Sequence, residues 1–385
     1  MNQKLSLSMT GIILSLAMLM GCGKPSSETM PQETKPAEAN PTHLEETIAD
    51  NHLVDADVYA PEFPISRTHV LHPLSLAPEE ALRIITADET AACNVADNGY
   101  GGLKGTTDSG ESITVDAGFI SYGYLDGERL GRYGEMENLI QLYYAEQPTE
   151  NNSVLDFMSM EDAISKAETM LKKMGIPYDA EVQFCGGLTH DQMMNYQQEL
   201  LEKDKTLPYP EYDCFGNIPV LTDLTDADDA YYIKFGFRYD DLPVYGFDPE
   251  PNVGTVDGVT TPFGAYAEIL MTRNGVAGFT SMGVYQITQS SNGDPLLTAM
   301  DALELYKSYW SERLRPMDEE YWRVNAIYLE YVPRYVDDAL ILTPYWCVCQ
   351  KDQYTNSLSG LKEWSPWPSG MRFNAQTGGD LAYGG

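Results

Sequence analysis

Apolar residues recur every three or four positions between residues 160 and 174, which is the pattern of an amphipathic helix. Ser159 stands at the expected N-cap, and Gly175 stands where a helix commonly ends. A second run with the same pattern begins after Thr298 and continues to residue 312. We therefore predict two helices, each with one apolar face that must pack against another element.

Alternating, β-rich runs follow each predicted helix. Asn274-Gly275 lies between two of these runs and predicts a tight hairpin. Because the order of one helix and then antiparallel strands occurs twice, we predict an α+β fold of tandem modules. Each module is expected to be an antiparallel sheet packed on one amphipathic helix. The predicted strands span residues 230–239, 242–246, 267–271, 276–279, 324–332, 339–348 and 371–381.

The two copies differ in length, so the first is expected to contain an insertion at residues 183–222. Thr189 and Gln192 form a capping-box pattern that predicts a helix at 190–203 within this insertion. Residues 139–144 read as a further strand in an N-terminal β-rich region. The predicted organisation is a β-rich region at 61–155, a first module at 156–290 and a second module at 291–385.

An apolar stretch near the start of the chain ends in Leu19-Met20-Gly21-Cys22. This stretch resembles the lipobox of bacterial lipoproteins, in which the Cys is acylated and the bond before it is cut. The resemblance implies a signal peptide at residues 1–21, lipid attachment at Cys22 and a location on the extracytoplasmic face of the cell membrane. An ordinary secretory signal or a short membrane anchor is the alternative.

Residues 22–60 are rich in Pro and polar side chains, and residues 23–58 contain no aromatic residue. Such a composition is typical of an extended linker, so we predict a disordered tether over residues 22–60. His43 and His52 lie within it and are expected to be exposed to solvent.

Acidic residues dominate the charge, with 58 Asp and Glu against 24 Lys and Arg and a formal net charge of −34. Nucleic-acid recognition needs a basic face, so this balance argues against a nucleic-acid partner. The hydrophobic fraction of 43% is too high for a chain that is disordered throughout.

Six cysteines are present, and assigning Cys22 to lipid leaves an odd number, so a complete disulfide framework is excluded. Cys185 and Cys214 both lie in the insertion, and a bridge between them stays open. Cys347 and Cys349 are expected to point their thiols to one face of a strand, where they are buried and free.

Metal-ligand patterns are weak in this chain. His69 and His72 have helical spacing, but Pro73 favours an extended chain and no further ligand stands nearby. Residues 223–229 form an acidic loop that lacks the Gly and the distal Glu of a calcium-binding EF-hand, so we read it as a solvated turn. We predict no metal, no cofactor and no catalytic residues.

Short motifs of the two copies resemble PepSY-like modules and the related YycH/YycI-type extracytoplasmic regulators of Firmicutes. With the lipobox, the chain resembles an uncharacterised clostridial lipoprotein family. The resemblance implies a helix packed on an antiparallel sheet, a binding or regulatory role at the outer face of the membrane, and no catalytic residues. The motifs lie at residues 161–176, 241–246, 328–332, 342–346 and 373–378.

Aromatic residues suggest where a partner binds, because Tyr and Trp supply contact area at low entropy cost. Trp364 and Trp367 lie in a predicted loop, and Tyr209 and Tyr212 lie in the insertion. We predict a lipid-anchored, extracytoplasmic, non-enzymatic protein that binds or regulates an envelope protein. The alternatives are a secreted hydrolase and a carbohydrate-binding lipoprotein, and the oligomeric state stays open.

Overall fold

Strand-forming runs dominate the chain, and in a computed structural model they assemble into two sheets with helices packed on them, an α+β fold. The described residues from 39 to 379 belong to one compact unit. The structure describes residues 39–61, 66–99, 101–146, 154–204, 221–245, 265–313, 321–336, 339–355, 362–364 and 369–379.

The first sheet contains strands from both ends of the described chain. Its strand order is β1-β2-β14-β15-β3-β13, and β16 and β17 also pair with β15. All of its pairs are antiparallel except that between β2 and β14, which is parallel. Its strands are β1 (His43–Ala49), β2 (His52–Tyr59), β3 (Arg67–Pro73), β13 (Tyr285–Asn292), β14 (Tyr321–Val336), β15 (Ala339–Thr355), β16 (Lys362–Trp364) and β17 (Ser369–Asn374).

The second sheet is antiparallel, with the order β10-β9-β11-β12-β7-β6-β5-β4 and with β8 paired to β9. The predicted Asn-Gly hairpin joins β11 to β12, and Gly275 takes the positive φ of 110° that such a turn requires. Its strands are β4 (Asn94–Asp97), β5 (Leu103–Thr106), β6 (Glu111–Asp116), β7 (Phe119–Tyr124), β8 (Asp179–Leu188), β9 (Ala230–Tyr239), β10 (Leu242–Pro243), β11 (Tyr266–Thr272) and β12 (Gly275–Met282).

The helices predicted from periodicity and capping are present. The Ser159 hydroxyl accepts a hydrogen bond from the Asp162 amide, and reciprocal bonds join Thr298 to Asp301 at the second predicted helix. Among the described helices, none is long and apolar enough to cross a membrane. The helices are α1 (Pro78–Thr86), α2 (Gly127–Glu146), α3 (Met160–Lys173), α4 (His190–Asp204) and α5 (Ala299–Arg313).

Residues 139–144 belong to helix α2, so the strand predicted there is wrong. The apolar residues that are buried in this helix lie at helical spacing, namely Met136, Leu139, Ile140 and Tyr144.

Helices cover both faces of the second sheet. The buried residues of α2 pack with α4 on one face, whereas α1 and α3 pack on the other face. The predicted module, with a single helix on one face, therefore does not describe this sheet. In the first sheet, α5 packs on β15 and β17.

The tether predicted over residues 22–60 is wrong for its last part, because residues 43–59 form the β1–β2 hairpin. Val54 and Ala56 alternate with polar residues and are buried in the core, which fixes β2 against β14. His52, expected in solvent, is also buried, and its Nε2 lies 2.8 Å from the Tyr306 hydroxyl.

The boundaries predicted at residues 155 and 290 do not coincide with the sheets. Strands β4 to β7 precede residue 155, yet β7 pairs with β12 in the second sheet. Strand β13 spans residue 290 and crosses to the first sheet, where it pairs with β3. These pairings join segments far apart in sequence, so composition changes along the chain do not mark them.

The acidic loop at residues 223–229 is a solvated turn, as predicted, only in its first part, where Asp223 and Asp226 are exposed. Asp228 is buried and pairs with Arg132 at 2.7 Å, and Asp229 is buried with an oxygen 2.7 Å from His190 Nδ1. Basic partners from α2 and α4 thus neutralise the carboxylates and fix the loop beside the second sheet.

Candidate functional site: a polar cleft on the first sheet

Along strand β15, the outer face of the first sheet is buried at one end and open to solvent at the other. Alternate residues of β15 point to this face. Cys347 and Cys349 are buried at one end, whereas Lys351 lines an open cleft of about 370 Å³ at the other. We call these two regions the buried end and the cleft. The residues that line the cleft are His43, Asp55, Asp57, Arg323, Asn325, Lys351 and Trp364.

Five strands contribute to the cleft, namely β1, β2, β14, β15 and β16. Core residues Val54 and Ala56 alternate on β2 with Asp55 and Asp57, so the two carboxylates face outward. Adjacent strands lie about 4.8 Å apart, so the cleft crosses about 19 Å of sheet. Its width suits an extended ligand.

A β-bulge places Asn325 in the cleft. The register of β14 shifts between Val324 and Ala326 against both of its neighbours, β2 and β15. Bulges re-aim side chains and are common next to binding sites. The Asn325 carboxamide oxygen is buried and has no hydrogen-bond partner among the described residues. A buried polar atom left in this way is costly unless a ligand or water reaches it.

Ion pairs organise the carboxylates of the cleft. Arg323 Nη2 bonds the Asp55 carboxylate, and both side chains are 42% exposed. His43 Nδ1 lies 2.9 Å from Asp57 Oδ1, and its Nε2 lies 3.4 Å from Asp55 Oδ1. No described residue forms an ion pair with Lys351, which lies directly opposite Arg323 across the β14–β15 pair. Lys351 is therefore the cation of the lining that is available to a ligand.

Trp364 forms the aromatic wall of the cleft. It ends the short strand β16, pairs with Gln353 and is 38% exposed. Gln353 in turn pairs with Tyr321, which is 40% exposed, so the two rings belong to one row across three strands. Lys362 Nζ lies 4.9 Å from the centre of the Tyr321 ring, a cation–π contact.

At the buried end, the same face holds a closed cluster. Arg372 Nε donates to Glu330 Oε1 at 2.7 Å, and both residues are less than 10% exposed. The guanidinium also lies 3.9 Å from the centre of the Tyr245 ring. Cys347 and Cys349 are free, and their sulfurs are 3.7 Å apart, as the prediction of two buried thiols on one face requires.

Of the predicted partner-binding residues, the structure describes Trp364 and places it in the cleft. Trp367, Tyr209 and Tyr212 lie outside the described residues, as do Cys22 and Cys214. The charged and amide residues of the cleft were missed by sequence reasoning. The period-two alternation of residues 52–58 was the signal that could have placed two of them on an open sheet face.

Two groups of side chains contain potential metal ligands, one at the cleft and one on β3. His43, Glu45 and Asp55 could hold a cation, but exposed acidic groups are common without one. His69 is buried between Ser290 and the Tyr331 hydroxyl, while His72 is exposed on the other side of β3, so these two cannot share a metal.

The strongest candidate for acid–base chemistry lies beside the second sheet. Burial, with a smaller contribution from the nearby Glu268 carboxylate, raises the pKa of Glu137 to about 8. Glu268 is ion-paired with Lys234 at 2.9 Å. Two carboxyl groups in such different surroundings are a feature of hydrolases. However, a Cβ at Gly278 would lie 3.0 Å from Glu137 Oε1, so this carboxyl packs against the backbone of β12.

Comparison with solved structures reports on the fold of the chain. No protein-family model matches the chain, and no curated protein matches it. The chain is similar to the crystal structure of an uncharacterized protein from Eubacterium rectale ATCC 33656, with a TM-score of 0.54 and 16% sequence identity. The match covers 89% of this chain and 93% of that one. At this identity the likeness shows a shared fold and nothing about activity.

Proposed function

We propose that the protein is a lipid-anchored, extracytoplasmic, non-enzymatic binding protein whose cleft holds a carbohydrate of the cell envelope. The observation that carries this proposal is Trp364, a half-exposed ring at the wall of a cleft lined by carboxylate, carboxamide and guanidinium groups. An aromatic face packs on the apolar side of a sugar ring, while fixed polar groups bind its hydroxyls. The cleft volume is within the range of small-ligand sites.

The anchor rests on the lipobox-like sequence that ends at Cys22. Two or three acyl chains give stable membrane attachment where one does not. Such a protein would sample polymers near the membrane surface. The PepSY-like resemblance stays a hypothesis, because the helices on both faces of the second sheet do not follow from it.

A protein partner at the envelope is the second candidate. Exposed apolar side chains lie around the cleft on the same sheet, and aromatic residues are enriched where proteins bind each other. Leu53 is 41%, Tyr59 60% and Tyr321 40% exposed. The hydrolase alternative would instead depend on Glu137 and Glu268.

The proposal is tested by screening the purified chain against immobilised envelope polysaccharides. Trp364→Ala should abolish retention, because it removes the stacking surface. Tyr335→Ala is the matched control, since Tyr335 is 46% exposed on β14 but does not line the cleft. Retention that is equal for both variants contradicts the proposal.

Cross-linking in intact cells distinguishes the second candidate. The protein-partner function replaces the carbohydrate one if two results are obtained together. The wild type must fail to retain polysaccharide, and a protein that is cross-linked to the wild type must be lost in Trp364→Ala.

The lipid anchor is tested separately. Cys22→Ala should shift the protein out of the membrane fraction and remove acyl labelling. Unchanged fractionation would overturn the lipoprotein assignment.

A further inference from the structure

We infer that the cleft selects a sugar that bears an anionic group, and that Lys351 binds this group beside Arg323. The inference rests on the proposed carbohydrate-binding function and adds the charge class of the ligand. It is carried by the register of β14 and β15, by the ion pairs of the lining and by the unpartnered Asn325.

Two cations face each other across neighbouring strands at the floor of the cleft. Arg323 and Lys351 are directly opposite in the β14–β15 register, and both line the cleft. Like charges at directly opposed positions repel and destabilise a sheet. Such a pair is favourable only when anions lie near it, and Asp55 supplies one of them to Arg323.

The carboxylates of the lining are already engaged with other groups. Asp55 is bonded to Arg323, and Asp57 is 2.9 Å from the His43 ring. No described carboxylate lies within ion-pair distance of Lys351, so its charge has no anionic partner among the described residues. A carboxylate or phosphate of the ligand is the partner that fits this position. A charge-assisted hydrogen bond there would be stronger than one to a neutral hydroxyl.

Asn325 gives the second requirement on the ligand. Its buried oxygen accepts from no described donor, so a ligand hydroxyl or amide N–H directed at the bulge would satisfy it. The ligand that fits the cleft presents an anionic group to Lys351, and a donor directed at the bulge would also satisfy Asn325. A sugar ring that carries a carboxylate or phosphate among its hydroxyls meets both conditions.

The aromatic row sets the direction of an extended ligand. Trp364 and Tyr321 lie in one row, which adjoins the row of Arg323 and Lys351. A sugar that stacks on the row of rings therefore projects its substituents towards the two cations. Lys362, above the Tyr321 ring, adds a further positive charge at this edge.

The formal net charge of −34 does not prevent this selection. At physiological ionic strength charges more than about 8 Å apart in solvent are largely screened. The ligand therefore responds to the cations that it touches more than to the distant carboxylates. Binding is expected to weaken with added salt, in contrast with the binding of a neutral sugar.

The test uses the full-length chain and matched oligosaccharides in calorimetric titrations. The probes are an oligoglucoside, the oligoglucuronide of equal length, and a glucoside that carries a phosphate. We expect the wild type to bind an anionic probe at least about tenfold more tightly than the neutral one, as one charge-assisted hydrogen bond implies. The better of the two anionic probes identifies the source of the charge.

Variants of Lys351 distinguish the contribution of its charge to binding from that of the other residues in the cleft. Lys351→Gln should remove the tenfold preference for the anionic probes over the neutral one, while Lys351→Arg should retain it. Trp364→Ala should weaken all three probes. Circular dichroism spectra and melting temperatures equal to those of the wild type verify that the variants fold.

The two proposals fail in different ways. If all three probes bind equally well and Lys351→Gln changes nothing, the anionic selection is wrong while carbohydrate binding stands. If no probe binds and envelope polysaccharides are not retained, the carbohydrate function itself is wrong. If the preference persists in Lys351→Gln, the assignment of the anion to Lys351 is overturned.

Discussion

The outer face of the first sheet contains two arginine–carboxylate pairs whose surroundings differ. In the cleft, Arg323 and Asp55 are each 42% exposed, whereas at the buried end the side chains of Arg372 and Glu330 are 8% and 2% exposed. Both pairs involve strand β14, and the bulge at Asn325 lies between them. The same chemical pair therefore serves the fold at one end and remains available to a ligand at the other.

Exposure to solvent explains why the two arginine–carboxylate pairs differ in what they contribute to stability. An exposed ion pair contributes about 0–1 kcal/mol, because water and salt weaken its attraction. A buried ion pair stabilises a protein little more than apolar residues of the same volume would. The loss of one partner, however, leaves an uncompensated buried charge and costs about 3–5 kcal/mol of stability. A ligand can replace a partner in the cleft at small energetic cost, which is not possible at the buried end. The following predictions test this contrast, from the largest expected effect to the smallest.

Glu330→Ala should lower the free energy of unfolding by about 3–5 kcal/mol, because Arg372 would remain charged and buried without its partner. Denaturant unfolding of the full-length chain measures this loss. The double variant Glu330→Leu/Arg372→Met should recover most of it, since an apolar pair fills the same space without a buried charge. A loss below 1 kcal/mol in Glu330→Ala would mean that the buried end tolerates a free cation as the cleft does.

His52 extends the comparison through the sheet to its inner face. Burial lowers the pKa of His52 from its ordinary value of 6.5 to about 4, so the unfolded chain binds more protons between these values. Stability should therefore fall as the pH decreases from about 6.5 to about 4, by up to about 3 kcal/mol. The measurement is the difference in pH dependence between the wild type and His52→Gln, which removes this proton site. If the two pH profiles are parallel, His52 does not titrate below its ordinary range.

Local signals explain which parts of the fold were predictable. The helix at 160–174 has its cap, its apolar period and its C-terminal Gly within one short segment. The hairpin at Asn274 likewise depends on neighbouring residues. Sequence patterns of this kind specify an element without reference to the rest of the chain.

The cleft was not predictable from such signals, because it depends on pairing between distant segments. Strand β2 lies beside β14, more than 250 residues later in the chain, and the parallel register brings Asp55 close to Arg323. The Pro-rich composition around residues 22–41 led to a disordered prediction that extended too far. Trp364 was singled out as an aromatic residue in a loop, but its neighbours could be identified only from the sheet order.

Gly370→Ala tests the packing of the buried end by adding one methyl group. A Cβ at this position would lie 2.7 Å from Cys347 Sγ and 3.6 Å from Cys349 Sγ, so the thiols must move. Overpacking of this kind typically costs about 1–3 kcal/mol, measured by thermal or denaturant unfolding. Gly123→Ala is the matched control, because a Cβ there meets nothing within 4 Å in another strand. Equal stability of the two variants would contradict the close packing of the thiol pair.

Asp55→Asn should have the smallest effect on stability and a distinct effect on binding. The substitution breaks an ion pair that is exposed to solvent, so the expected loss is at most about 1 kcal/mol. It also frees Arg323 beside Lys351, so that these two adjacent cations lose the carboxylate that neutralises one of them. An anionic oligosaccharide should therefore bind more tightly to Asp55→Asn than to the wild type, while a neutral one should not.

Asp57→Asn is the control, because Asp57 pairs with His43 rather than with Arg323. If Asp55→Asn destabilises the chain as much as Glu330→Ala does, the pair in the cleft is a structural element, and the contrast between the two ends of the sheet is lost.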